Sequence, residues 1–271
     1  MQMSLENLAP GVYAWLHGTH DHSHTNSGVV IASDGLTVFD AGPTPAAAQP
    51  LADEIGALTP IPVKRFVCSG SHIDVVGGGT AFPLAGIYGA GQTSDHLDQD
   101  PNPDVWSRLH PAHDFAEVIT RPVSHTVAEP AHLCAASIAI PVGGPQFENL
   151  IVQVPAANVV FAGSVASFGT VPLGFEADVP VWIETLGQLR EWGELFVPAH
   201  GPIGGVEELD ELSDYLEAVL GANGKPGAMA KGPWDQWNDA HFTPINVERA
   251  YMLSQGDPSP PPTMLALLGL G

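Results

Sequence analysis

The sequence predicts an α/β fold in which two mixed sheets pack together and are covered by helices. Three observations carry this expectation. Short β-branched and aromatic runs at residues 11–16, 28–33 and 36–40 are split by turn signals, among them Asp34-Gly35, in the manner of a meander. Strand-like runs return at 135–142, 149–154 and 159–162. Helical segments accompany both groups. The clearest is 206–220, where Val206, Leu209, Leu212, Leu216 and Val219 recur at the spacing of one helical face.

Each element has a local reason. Thr44-Pro45 offers an N-cap and then proline at the first helical position, so a helix is expected over 46–58. Pro50 should kink that helix or delay its start. Phe66-Val67-Cys68 reads as a buried strand running into a Gly- and Ser-rich loop at 69–79. Residues 92–125 are polar and proline-rich and receive no assignment. Asp178 can cap a helix over 181–192. Gly221 suits the C′ position of the 206–220 helix. The opposite face of that helix holds Glu207, Glu208, Asp210, Glu211, Asp214 and Glu217, a solvated acidic surface. No low-complexity linker divides the chain, and a single domain over 1–271 is expected.

Composition narrows the function classes. Among 271 residues there are 8 Lys plus Arg against 30 Asp plus Glu, a net charge of −22. Such a field repels phosphate backbones and anionic lipid, so neither nucleic acid nor membrane is an expected partner; a small-molecule substrate is. No apolar run approaches the ~20 residues of a membrane span. The first basic residue is Lys64, so no charged secretory region is seen, and a cytoplasmic location is expected. Cys68 and Cys134 are too few for a disulfide framework or a thiolate metal cluster. Oligomeric state is left open, a homo-oligomer included.

The loop from Cys68 to Gly78 reads Cys-Ser-Gly-Ser-His-Ile-Asp-Val-Val-Gly-Gly. It resembles the metallo-β-lactamase superfamily, whose corresponding loop reads H-x-H-x-D-H-x-G-G. Further stretches fall in the family's order. Asn26-Ser27-Gly28 with Val38-Phe39-Asp40-Ala41-Gly42 is similar to its opening strands, and 149–163 to its central hairpin. Val197-Pro198-Ala199-His200-Gly201-Pro202 is similar to its last histidine loop, and Gly232-Pro233-Trp234 with 246–251 to the tail of some bacterial members. The likeness runs from about Leu8 to Tyr251. It implies an αββα sandwich with metal ions held at the sheet edges by histidines and a bridging aspartate.

Residue by residue, His72 matches the second histidine of the family loop, Asp74 its aspartate and His200 the last histidine. The other donor positions fall on Gly70, Val75, Pro145 and Ser164, none of which carries charge. Two cations a few ångströms apart repel and need a bridging carboxylate, which Ser164 does not supply. A dinuclear zinc site is therefore not expected. At most one divalent ion is, and zinc, iron, manganese and copper all suit imidazole.

A compensating source of donors lies between the first two strands, where His17, His20, His22 and His24 crowd one loop. Residues two apart in an extended segment share a side, so His20, His22 and His24 can present imidazoles together beside His72 and His200. The expected ligands are then His72, His200, His20, His22 and His24. Asp74 orients or deprotonates a water, and Asp74, His72 and His200 are the catalytic candidates. The implied activity is hydrolysis of an ester, lactone or thioester with at most one ion. The alternatives are a metal-free descendant that binds a small molecule or performs acid–base or lyase chemistry, and a mononuclear iron enzyme. Structural roles compete for the same residues: a loop-shaping His72–Asp74 pair, a packed His200, a merely polar histidine loop. Ser69 or Ser71 with His72 and Asp74 crowds one short loop, which argues against an aligned nucleophile set. His110, His113, His125 and His132 read as surface or hydrogen-bonded residues, and the roles of His17, His125 and His132 stay open.

Overall fold

The computed structural model describes residues 3–17, 22, 24–97 and 103–271, apart from the side chain of Ser4. The first sheet has seven strands in sequential order: β1 (Ser4–Ala9), β2 (Val12–Leu16), β3 (Ser27–Ala32), β4 (Gly35–Phe39), β5 (Val63–Val67), β6 (Gly86–Gly89) and β7 (His125–Thr126). Strands β2, β3 and β4 form the expected antiparallel meander, β1 adds an unexpected antiparallel strand at its edge, and β4 to β7 pair in parallel. The second sheet has five strands, β8 (Ala131–Cys134), β9 (Ser137–Val142), β10 (Asn149–Val154), β11 (Val159–Ser167) and β12 (Leu195–His200), ordered β12-β11-β10-β9-β8. Only β11 and β12 are parallel in it.

Strand periodicity builds the layers. Because successive side chains alternate faces, Val30, Val67, Val152 and Phe161 point into the core between the sheets. Their neighbours Val29, Phe66, Ile151 and Val160 face outward. The outward face of the first sheet is covered by α1 (Pro45–Leu58) through Leu51 and Ile55. That of the second is covered by α5 (Val179–Leu189) and α6 (Val206–Gly221) through Trp182, Leu186, Leu209, Leu212 and Leu216. Each such fully buried aliphatic side chain contributes about 1.5–3 kcal/mol relative to exposure. The result is helix, sheet, sheet, helix. Gly28 lets β3 approach β11, since a Cβ there would meet the Phe161 ring at 2.5 Å.

Shorter helices complete the chain: α2 (Ile73–Val76), α3 (Gly91–Leu97), α4 (Pro103–Leu109), α7 (Thr243–Ser254) and α8 (Pro262–Leu267). Four expectations on elements need revision. Helix α1 starts at Pro45 and runs through Pro50 without a break, which forfeits only the bond that the missing N–H would have made. The expected strand at 135–142 begins in a turn, because Ala135-Ala136 links β8 to β9. Helix α5 ends at Leu189, short of residue 192. Gly221 lies inside α6, and the chain leaves it through Asn223 and Gly224, both at positive φ. Among the described residues no helix is long and apolar enough to cross a membrane.

Candidate metal centre

Three connections open at one rim of the sandwich: the loop from β5 into α2, the end of β12, and the histidine-rich loop between β2 and β3. Asn26 ties the last two together. Its backbone N–H donates to the Ala199 carbonyl (2.8 Å), and its side-chain amide donates to Pro198 O (3.1 Å) and Gly201 O (2.8 Å). The loop ahead of Asn26 is thereby laid against His200, the last residue of β12.

There His22, Asp74 and His200 meet, all buried, with one ligand atom from each lying within 4.8 Å of the others. The His200 Nδ1–H donates to the His24 carbonyl (3.0 Å), and its Nε2 lies 3.2 Å from Asp74 Oδ2. The His22 Nε2–H donates to the Val171 carbonyl (2.9 Å), which leaves Nδ1 as its unbonded nitrogen. The two imidazole rings lie 3.9 Å apart between centroids. Each ring thus has one nitrogen anchored on a backbone carbonyl, the kind of outer contact that fixes ring direction in metal-ligating histidines, while the second nitrogen of His200 meets Asp74. Burial, and next the nearby His200, press the His22 imidazole well below its ordinary pKa, so it is held neutral. Burial works to raise the Asp74 carboxyl, but the His200 hydrogen bond and charge, with His110 and His72 nearby, hold it below the usual carboxylate range. Two imidazoles and one carboxylate fit a single divalent ion with a position left open.

Of the remaining donor positions of the resemblance, Gly70 and Val75 are closed off by packing, while Pro145 and Ser164 line the cavity without offering a strong donor. A Cβ on Gly70 would lie 2.2 Å from Gln146 Oε1. The Gln146 amide occupies that space, accepting from Ser71 N–H (2.9 Å) and donating to Ser71 Oγ (2.8 Å) and Glu176 Oε2 (2.9 Å). Val75 is buried in the core beneath α1. Ser164 Oγ is hydrogen-bonded to Ser69 Oγ at 2.9 Å, and Gly163, at φ +51°, lets the two segments close because a Cβ there would strike Ser69.

The expected site residues therefore separate. His22 and His200 join Asp74 in the cluster. His72 lies on the same cavity, but its Nε2 faces Glu176 Oε2 at 3.0 Å and its ring stacks on Phe175. Burial pulls His72 down, yet the Glu176 hydrogen bond and charge leave it raised overall. His24 offers its carbonyl to His200 while its ring stacks on His17 and meets His113 edge-on. His20 lies outside the described residues. His125, whose role was open, stacks on Tyr88 far along β6, and His132 is exposed on β8.

Three participants escaped the sequence reading. Glu176 and Gln146 sit in loops with no periodicity, and only the place of Gln146 next to Pro145, a lost donor position, hinted at either. His110 follows α4 in the stretch without assignment. It is buried on the same cavity, its ring is hydrogen-bonded to the His22 backbone, and its Nδ1 has no partner.

Comparison with known proteins agrees with this architecture. The chain is 22% identical over 212 residues to the metallo-β-lactamase type 2 of Bacteroides fragilis, covering 74% of this chain and 79% of that protein. Among solved structures, a metallo-β-lactamase of Pseudomonas aeruginosa in its mono-zinc form matches with a TM-score of 0.62 at 16% identity, over 80% of this chain and 96% of that one. The metallo-β-lactamase from Pontibacter korlensis matches with a TM-score of 0.61 at 18% identity, over 80% and 99%. This chain has the fold of the metallo-β-lactamase superfamily. No protein-family profile matches the sequence. In this chain Gln146 fills the space beside Gly70, and His22 lies with Asp74 and His200.

Proposed function

We propose that this chain is a metallo-β-lactamase-fold hydrolase that holds one divalent ion on His22, Asp74 and His200 and cleaves an ester, lactone or thioester. The observation that supports this is the buried cluster of three donors, with ligand atoms within 4.8 Å, at the foot of a cavity of about 290 Å³. Zinc is the first choice for two imidazoles and a carboxylate, with iron and manganese next. Such an ion, when bound, polarises a carbonyl and brings the pKa of water towards neutrality.

The chain's own residues do the rest. Backbone anchors at Val171 and His24 keep the two imidazoles aimed at one point. Asp74 supplies the compensating negative charge. His110 Nδ1, buried and without a partner, is the acceptor available to orient a water or a substrate N–H or O–H in the cavity. Val105, Leu109, Leu173, Phe175, Met264 and Leu268 give the cavity an apolar side against which a substrate's hydrocarbon part can pack.

The test is elemental analysis of purified protein alongside hydrolysis of p-nitrophenyl butyrate. One ion per chain is expected, with activity lost on chelation and restored by the ion. The His72–Glu176 pair on the same cavity favours a second reading, metal-free acid–base chemistry. Activity that persists in fully chelated protein selects it.

A further inference from the structure

The cavity above the donor cluster is lined by both polar and apolar side chains. The polar lining is the donor cluster with His110, His72 and three serines, Ser71, Ser164 and Ser167. The walls are Val105 and Leu109 of α4, Leu173 and Phe175 after β11, and Met264 and Leu268 at α8. No lysine or arginine lines it.

The chain's few cations are all elsewhere. Arg65 pairs with Asp34, Arg190 with Asp210 and Lys231 with Asp235. Arg108, Arg121 and Arg249 spend their donors on backbone carbonyls, Arg249 on those of Glu176, Ala177, Pro258 and Ser259. Lys64 lies on the exposed side of β5 and Lys225 follows α6, and neither borders the cavity. The residues outside the described set include neither Lys nor Arg. A carboxylate or phosphate carried into this cavity would be desolvated with no lysine or arginine to pair it, inside a protein of net charge −22, and Asp74 and Glu176 already balance the ion and His72.

We infer that the site takes an uncharged ester or lactone with an apolar acyl or alkyl group, an inference that rests on the hydrolase reading above. The volume of about 290 Å³ is at the small end of the ~300–1,000 Å³ typical of ligand pockets, so the apolar group is short. Anionic esters and thioesters of phosphorylated carriers would meet no lysine or arginine there.

The experiment uses zinc-loaded protein and two isosteric substrates, p-nitrophenyl 4-methylpentanoate and the p-nitrophenyl monoester of succinic acid. Both are assayed at high ionic strength, so that long-range repulsion is screened and the cavity itself is read. The neutral ester should be preferred about 100-fold or more in kcat/KM. From acetate to butyrate, kcat/KM should rise about four-fold per methylene. Val105→Lys, at a partly buried wall position, should narrow the neutral-to-anionic ratio about ten-fold or more. Equal or faster turnover of the succinate monoester overturns the substrate inference and leaves the hydrolase reading standing. If no ester turns over with zinc, iron or manganese, the hydrolase reading falls. Calorimetric binding of 4-methylpentanamide against succinamate then reads the charge preference directly: tighter neutral binding supports the inference, and equal or tighter anion binding overturns it.

Discussion

Gly70 and Gln146 share one space: the Cβ that Gly70 lacks would sit 2.2 Å from Gln146 Oε1. The glycine makes room and the glutamine fills it, then uses its amide to tie Ser71 to Glu176. Loss of a donor at residue 70 is thus not a vacancy that an ion or water inherits. It is part of a packed hydrogen-bond network, in which Glu176 in turn holds His72.

Restoring a histidine at that position should therefore fail to restore a second ion. Gly70→His must displace a buried amide, an overpacking that costs about 1–3 kcal/mol. Denaturant unfolding should register that loss, and metal analysis should still find one ion per chain. Two ions in the Gly70→His protein would show that Gln146 yields easily and that the network is not the barrier.

Acid should destabilise the metal-free fold through its buried histidines. Burial, and then the neighbouring His24, His113 and His200, push His17 down to about 4. Its folded-state pKa lies below the ~6.5 of the unfolded chain, so the unfolded state binds the proton first and stability falls as pH drops from ~6.5 towards 4. His17→Phe keeps a ring against His24 but removes the proton site. The acid limb of stability against pH, measured on chelated protein, should flatten without disappearing, because His22 and His110 are lowered as well.

The His72–Glu176 pair has a mixed signature. Burial works to raise Glu176, but the His72 hydrogen bond and charge, with Gln146 and His96, bring it down to about 2. Its contribution is present above ~4.3 and is lost as pH falls towards 2, whereas that of His72, which is raised, is present below ~6.5 and is lost as pH rises through the folded value. Glu176→Gln keeps a hydrogen-bonding group and removes the charge. The His72 ring, followed by NMR titration, should then titrate at lower pH than in the parent protein. An unmoved titration would mean that Glu176 does not set the state of His72.

Much of this was legible in the residues themselves, for identifiable reasons. The alternation Val29-Val30, Phe66-Val67 and Ile151-Val152 carries the sandwich, because period two assigns each neighbour to a different layer. His200 and Asp74 were found because each follows a strand within a motif of fixed order. The segment 92–125 was opaque because its helices, α3 and α4, are only seven residues each, so no periodicity accumulates. That is where α4, Val105 and His110 were hidden. Nor does spacing choose among the histidines of 17–24: Asn26 docks their loop on β12, and only that contact puts the His22 ring, rather than that of His24, against His200.

Ion binding should stabilise the fold, and His22 should be the residue of that loop on which it depends. The three donors come from three separate segments, the β2–β3 loop, α2 and the end of β12, so an ion held by all of them favours the folded state over the unfolded chain. At a free zinc concentration 100 times its Kd, linkage gives about 2.7 kcal/mol. For a chain of this size that is a rise in Tm of roughly 5–10 °C, at ~2–4 °C per kcal/mol. His22→Ala removes one of three donors, and the shift should largely vanish. His24→Ala leaves the backbone carbonyl that receives the His200 Nδ1–H, so the shift should persist within a few degrees of the parent. Replacing His20, His22 and His24 together should abolish metal retention while the chelated protein still unfolds cooperatively, since the loop contributes little of the core. Scanning calorimetry of the four proteins with and without zinc is sufficient. A His22→Ala protein that keeps the full shift, or a triple variant that still carries stoichiometric metal, would place the ion elsewhere and remove the basis of the three-donor site.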